Sequence, residues 1–429
     1  MYMGTTQSYL CIDLKTFYAS VECADRGLDP FTTNLVVADP TRGQSTICLA
    51  VSPAMKRLGV RNRCRVFEIP PSIRYITATP RMQRYMEVSA QIYGIYLEYL
   101  SPEDIHVYSV DECFIDASPY HGLYGSDTHQ LARMLMDAVL SRTGVSAAAG
   151  IGENLFQAKV ALDITAKHSP DGIGVLDHAR FRSEIWPHRP LTDIWGIGRG
   201  IATRLARYHV FDLMSLAALD PAILYREFGV KADLLIAHAH GRESATIKDI
   251  QSWQPKASSL MSGQILIRDY SLDEARVVLR EMVDTAVLDL VQRRQVAGGI
   301  SLKAGYTWKG SAHHGLQSPS KAGGSQKLSG HTASFAELWP AFLQLFTHRV
   351  DPTCPIRRLA IGLYDLAPEA KADINLFTNV RALERERRLA HTVNDVKSRF
   401  GKNALLRGTS FRPGATGRER NEQIGGHRA

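Results

Sequence analysis

The sequence predicts an α+β fold of several domains, and three observations in its first half carry that expectation. Tyr9–Leu14 (YLCIDL) is a short apolar run with an acid near its end, the pattern of a buried strand. Met82, Tyr85, Met86, Ile92, Tyr93, Tyr96 and Leu97 fall at mostly helical spacing, as do Leu131, Met134, Leu135, Ala138 and Val139, whose helix ends near Gly144. Between these helices, Ile105–Tyr108 and Cys113–Ile115 read as strands on either side of Asp111-Glu112, and Val145–Ile151 reads as a further strand. The order strand, helix, hairpin, helix, strand, with a long insertion after the first strand, suits a sheet with helices on one face.

The insertion over 26–74 holds turn residues and short strands such as Leu35–Ala38 and Thr46–Val51. Ala158–Lys167 is helical and stops before Pro170, and 176–245 is mostly helical around Gly196-Ile197-Gly198. A linker is expected over 246–259, polar and Pro-containing from Gln251 onward. Residues 260–366 form a second α+β module, in which Gly310–Gly330, rich in Gly, Ser, His and Lys, reads as a mobile loop. After Pro368 a short apolar motif precedes one more helix, where Leu389, Val393, Val396 and Phe400 share a face and Gly401 is a C-cap.

A chain of 429 residues is too long for one small core and suggests roughly two to four domains. Hydrophobic residues at 45% and charged residues at 22% suit a folded, soluble protein. No run of ~18 apolar residues and no basic segment leading into an apolar core is present, so neither a membrane span nor a secretory signal is expected. Six cysteines without a CxxC pair read as the reduced thiols of a cytoplasmic protein. The net charge of +8 is compatible with a polyanionic partner. From Glu369 onward, 13 Lys/Arg against 7 Asp/Glu carry six of those eight charges, so 367–429 reads as a basic tail.

Asp13 ends an apolar strand, where a buried charge is costly unless it meets a cation. Asp111 and Glu112 are neighbours, and neighbours on a regular strand point to opposite faces. Both can address one metal only at a strand end or bend.

Ile12-Asp13-Leu14-Lys15-Thr16-Phe17-Tyr18-Ala19-Ser20-Val21-Glu22 resembles the opening motif of Y-family DNA polymerases. Ser109-Val110-Asp111-Glu112 is similar to their second catalytic motif, and Ile151–Lys159 (IGENLFQAK), followed by Ala166-Lys167, to their third. The three motifs stand in the family's order and spacing. The resemblance extends over nearly the whole chain and is nearest to the UmuC-type branch of Gram-positive bacteria, whose ending Ile424-Gly425-Gly426-His427 also resembles.

That resemblance implies a right-hand polymerase: a ferredoxin-like palm (1–25 and 75–175), inserted fingers (26–74), a helical thumb with a helix-hairpin-helix (176–245), and a little finger (260–366). It implies template-directed, low-fidelity synthesis past damaged bases, with two Mg²⁺ ions that activate a primer 3′-hydroxyl and neutralise pyrophosphate. Asp13, Asp111 and Glu112 would be the metal carboxylates, and Leu14 would offer a backbone carbonyl. Phe17 would meet the triphosphate through its backbone. Tyr18 matches the position whose ring clashes with a ribose 2′-hydroxyl. Lys56 and Lys159 would contact the triphosphate.

The sequence departs from the family at Lys15, where many members have Asp or Asn, and at Pro53 and Lys56, where many have Tyr and Arg. Pro53 brings neither a phenol nor an N–H, and Lys56 lacks the bidentate fork of Arg.

Gly196, Gly198 and Arg199 resemble the thumb hairpin that grips the DNA backbone through free N–H groups. Ala372–Phe377 resembles the peptide by which bacterial polymerases dock on the sliding clamp, with Ile374, Leu376 and Phe377 as its apolar residues and without the leading Gln. Expected partners are primer–template DNA, a deoxynucleoside triphosphate and the clamp, with no membrane. A non-catalytic scaffold of the same family, a nucleotide cyclase with a palm-like sheet, and a charge-driven DNA-binding accessory are the rivals.

Overall fold

A computed structural model describes residues 7–124, 127–254, 259–307, 321–373 and 379–429. The chain forms two compact units, 1–253 and 254–429.

The first unit is built on a five-stranded sheet in the order Ile105–Val107, Glu112–Asp116, Tyr9–Leu14, Ala147–Gly152, Ile173–Leu176. Tyr9–Leu14 lies at its centre, antiparallel to both neighbours. Apart from Asp13, its residues are apolar on both faces, and both faces are covered. Leu10, Ile12 and Leu14 join a core with Tyr85, Ile92, Leu131 and Leu135 from helices Met82–Leu97 and Thr128–Thr143. Tyr9 and Cys11 pack oppositely, with Phe114, Leu155, Ala158 and Leu162.

Helix Leu155–Asp163 therefore corrects the one-faced layering expected from the element order. It rests directly on Gly150 and Gly152, where a Cβ would fall 2.1 Å from the Ala158 carbonyl oxygen and 2.4 Å from the Ala158 nitrogen. Only glycine permits so close an approach. The final strand Ile173–Leu176 pairs parallel to Ala147–Gly152 and was not expected.

The insertion has its own three-stranded sheet, Ala50–Val51, Leu35–Val37 and Ile76–Ala78, and its own core around Val36, Cys48, Val51 and Met55. The third strand lies past residue 74, where the insertion was expected to end. Helices Arg199–Ala206, Leu213–Ala218, Pro221–Phe228 and Lys231–Ala239 follow, packed around Phe181, Leu205, Leu213 and Leu235. The expected linker is folded at its start. Helix Ile247–Ser252 has a Thr246–Asp249 capping box, and Ile247 is buried against Tyr9, Cys11 and Phe114.

The second unit is a four-stranded antiparallel sheet in the order Lys321–Thr332, Gln295–Tyr306, Ile356–Pro368, Ser259–Tyr270. Helices Leu272–Arg293 and Phe335–Arg349 cover one face through Val278, Met282, Phe342 and Phe346. Two expectations are corrected here. Residues 321–330 belong to an edge strand, not to a loop. The basic tail is folded: helix Val380–Phe400 buries Ala390 against Leu288 and Val291, and Thr416 and Gly417 donate backbone N–H bonds to Glu281. Arg381, Arg385, Arg387, Arg388 and Arg399 of that helix are exposed, whereas Arg407, beyond it, pairs with Asp284. No described helix is long and apolar enough to cross a membrane.

Candidate active site

The central strand and its neighbour bring the acids together. Asp13 and Glu112 are register partners across the antiparallel pair. The strand begins only at Glu112, so Asp111 lies in the preceding turn. Tyr108 and Ser109 both donate N–H bonds to the Glu112 carbonyl at 3.0 Å, which tightens that turn. Ser109 Oγ donates to Asp111 Oδ1 at 2.7 Å, and Leu14 N donates to the Asp111 carbonyl at 2.8 Å. The bend needed for two adjacent acids to reach one place is therefore present.

Crowding has an electrostatic consequence. Burial, then the charges of Asp111 and Glu112, push the Asp13 carboxyl up to about 7, with Lys159 pulling the other way. Lys159 Nζ lies 2.6 Å from Glu112 Oε1 and 2.9 Å from Asp163 Oδ1. Burial works to lower that ammonium, but the Glu112 hydrogen bond and the Asp163 charge outweigh it and hold it above the usual lysine range. Cys11 Sγ also donates to Glu112 Oε1, at 3.1 Å.

Helix Phe17–Ala24 starts directly after the strand. Thr16 precedes it at φ 49°, a left-handed conformation unusual for a β-branched residue and a sign of a tightly specified turn. The Phe17 side chain is buried in the main core, so only its backbone is left for a ligand. Tyr18 is half-buried and stacks on Tyr85. Burial and then Asp111 raise its phenol, with Arg63 opposing, so both residues lie close to the ring.

Lys56 sits in helix Pro53–Arg57 and is an exposed residue. Even so, desolvation holds its ammonium below the usual lysine range, with Asp13 opposing and Lys167 reinforcing the shift. Asp13, Asp111, Glu112, Tyr18, Lys56 and Lys159 thus form one neighbourhood. Arg63 joins it as a cation that the sequence did not point to, and Lys167, quoted after the third motif, joins it as well. Arg63 has φ 61°, a strain invisible in the sequence around it. Lys15 turns elsewhere: its Nζ would lie 3.0 Å from a Cβ at Gly172, so the bare glycine makes room for it.

Gly196, Gly198 and Arg199 are exposed and make no hydrogen bond or ion pair with the acids among the described residues. Gly196 adopts φ +86°, and a Cβ at Gly196 or Gly198 would meet open space. This turn connects to the acidic hairpin through Trp195, whose indole N–H donates to Tyr108 Oη at 3.3 Å. Ile374, Leu376 and Phe377 lie outside the described residues.

As the side chains stand, no three His, Cys, Asp or Glu among the described residues are arranged to hold a metal ion. The donor set nonetheless fits a hard divalent cation. Three carboxylates are available, and the proton affinity of one of them is raised by burial and then by its like-charged neighbours, both of which a dication offsets.

The family model of the impB/mucB/samB family matches residues 12–163, and the model of that family's C-terminal domain matches residues 257–376. The chain belongs to the Y family of DNA polymerases. Among Y-family relatives, it is 28% identical to the putative UV-damage repair protein UvrX of Bacillus subtilis, over 99% of this chain and 98% of that one. It is 29% identical to DNA polymerase IV 2 of the same organism, over 97% of each. A Y-family DNA polymerase chimera of known structure shares the fold, with a TM-score of 0.63 at 18% identity, over 84% of this chain and 99% of that one.

Proposed function

We propose that this Y-family polymerase is a low-fidelity translesion enzyme that transfers a nucleotide from a deoxynucleoside triphosphate to a primer 3′-end with two Mg²⁺ ions. The observation that carries the reading is the meeting of Asp13 with Asp111 and Glu112 in a buried position, where burial first and then the two charges raise the Asp13 carboxyl to about 7. Asp13, Asp111, Glu112 and the Leu14 carbonyl would hold the ions. Bound there, the ions supply Lewis-acid chemistry to the attacking hydroxyl and the leaving pyrophosphate.

The residues of the chain do the rest. The Phe17 backbone, Lys56 and Lys159 would bind the triphosphate, Lys159 by exchanging Glu112 for phosphate oxygens. Tyr18 would exclude a 2′-hydroxyl by overlap. Gly196, Gly198 and Arg199 would hold the DNA backbone, and Ile374, Leu376 and Phe377 would dock on a sliding clamp. The names of the relatives, a UV-damage repair protein and DNA polymerase IV, support a role in copying damaged templates. On this reading the protein is cytoplasmic.

The Lys159–Glu112 ion pair favours one second reading, a non-catalytic scaffold whose acids are internally neutralised. Primer extension on matched undamaged and damaged templates with Mg²⁺ decides between them. Extension by the wild type, lost in Asp111→Ala, supports the enzyme. No extension on either template supports the scaffold.

A further inference from the structure

Tyr85 belongs to helix Met82–Leu97 and is fully buried. Its ring stacks on that of Tyr18, with centroids 4.4 Å apart and planes at 18°. Its hydroxyl donates to Glu22 Oε1 at 2.8 Å. Tyr18 and Glu22 are four residues apart on helix Phe17–Ala24, so they sit one turn apart on one face. Tyr85 thus grips that helix twice, by its face at Tyr18 and by its hydroxyl at Glu22.

Glu22 is itself fixed. Its carboxylate is fully buried, and Arg81 Nε donates to Oε1 at 2.9 Å while Arg26 pairs with the other oxygen. Burial works to raise this carboxyl, but the bonds from Arg81, Arg26 and Tyr85 outweigh it and keep it charged. Arg81 also reaches Asp25 at 2.7 Å. The Phe17 ring closes the cluster, with its centroid 5.8 Å from Tyr18 and 6.5 Å from Tyr85.

A side chain that excludes a hydroxyl by overlap works only while its ring stays in place. An unsupported tyrosine has other staggered rotamers, and a displacement of about 1 Å is enough to change what a site accepts. We propose that Tyr85 is a positioning residue for sugar discrimination: it holds the Tyr18 ring in its excluding position, and the Glu22–Arg81 pair holds Tyr85. The inference rests on the reading of Tyr18 as the residue that meets the sugar.

The test is the ratio of kcat/KM for a deoxynucleotide to that for the matching ribonucleotide, measured in wild type, Tyr18→Ala, Tyr85→Phe and Tyr85→Leu. A purely structural role changes the active fraction for both substrates alike and leaves this ratio unmoved. Tyr85→Leu is expected to lower the ratio about fivefold to tenfold, the scale of one lost aromatic stack, mainly through a lower KM for the ribonucleotide. Tyr85→Phe keeps the ring and stays within about twofold of wild type.

A wild-type ratio in Tyr85→Leu beside a lowered ratio in Tyr18→Ala overturns the proposal and spares the Tyr18 reading. An unchanged ratio in Tyr18→Ala overturns both. If Tyr85→Leu does not fold, Tyr85→Met fills the same space with a flexible chain and is read on the same ratio with the same outcomes.

Discussion

The ammonium of Lys159 lies 2.6 Å from the carboxylate of Glu112, so a side chain of the protein itself neutralises one of the three acids. A cation arriving at Glu112 competes with that ammonium, and a triphosphate arriving beside it offers the ammonium another partner. Metal and nucleotide are therefore expected to bind with positive coupling, each making room for the other. In Lys159→Met, divalent metal should bind the nucleotide-free protein on the order of tenfold more tightly, while the KM for the deoxynucleotide rises on the order of tenfold. Calorimetric titration with Mn²⁺ and single-nucleotide kinetics read the two quantities. An unchanged metal affinity would mean that the ion pair is a bystander.

Asp111→Ala and Glu112→Ala should each lower primer extension by at least about a thousandfold, because each removes charge where the reaction needs it neutralised. Binding to primer–template should change little, since the exposed thumb turn at Gly196–Arg199 makes no ion pair with these acids. Extension rates and fluorescence anisotropy of the same preparations separate the two effects. Near wild-type extension in either variant would dismiss the site assignment.

The Asp13 carboxyl gives a stability signature in the presence of chelator. Its value is 3.8 when unperturbed and about 7 in the fold, so the native state holds the proton more tightly than the unfolded chain. Native stability therefore rises as pH falls from above 7 toward 4, and the penalty for ionising Asp13 is felt in full above 7. Asp13→Asn removes the penalty. Its melting temperature should exceed that of the wild type by several degrees at mildly alkaline pH, and the gap should close as pH falls toward 4. Saturating Mg²⁺ should narrow the gap at alkaline pH by stabilising only the wild type. A gap that is flat with pH would mean that burial and the neighbouring charges do not raise the Asp13 carboxyl. Such a gain in stability with loss of activity is the usual trade at a site built from like charges.

What the sequence disclosed here, and what it hid, follows from the range of each interaction. Strand Tyr9–Leu14, the acidic hairpin and helices Met82–Leu97 and Thr128–Thr143 announce themselves through local periodicity. The second covered face of the sheet did not, because the signal for helix Leu155–Asp163 packing there is spread over Tyr9, Cys11 and two glycines far apart in sequence. The motif acids were legible through their resemblance and were brought together. Arg63 and Tyr85 were missed as neighbours of the site for a common reason. Each reaches it from a separate stretch of chain, and no local pattern of residues encodes that meeting. In the tail the helix itself was legible, but its buried contact is made by Ala390, while Leu389 and Phe400 of the expected apolar face are exposed.

Asp373 and Asn379, which flank Ile374, Leu376 and Phe377 in the sequence, each make hydrogen bonds within the second unit. Asp373 Oδ2 accepts the His331 backbone N–H at 2.6 Å, and Asn379 accepts from Ala382 N as the cap of helix Val380–Phe400. The Asp373 carboxylate is thus already committed within the fold and does not stand in for the leading glutamine of the clamp peptides. Docking would rest on Leu376 and Phe377, whose burial in an apolar groove is worth ~3–6 kcal/mol before ordering costs. Leu376→Ala with Phe377→Ala should weaken binding to a sliding clamp at least about tenfold and reduce synthesis on clamp-loaded primers. Distributive extension of a short bare primer should remain, since every residue given a catalytic role lies between Asp13 and Lys159. Calorimetric titration against the purified clamp reads the first effect, and equal affinity of wild type and double variant would refute docking through this segment. A double variant that melts early and loses bare-primer extension as well would instead assign Leu376 and Phe377 to the core of the second unit.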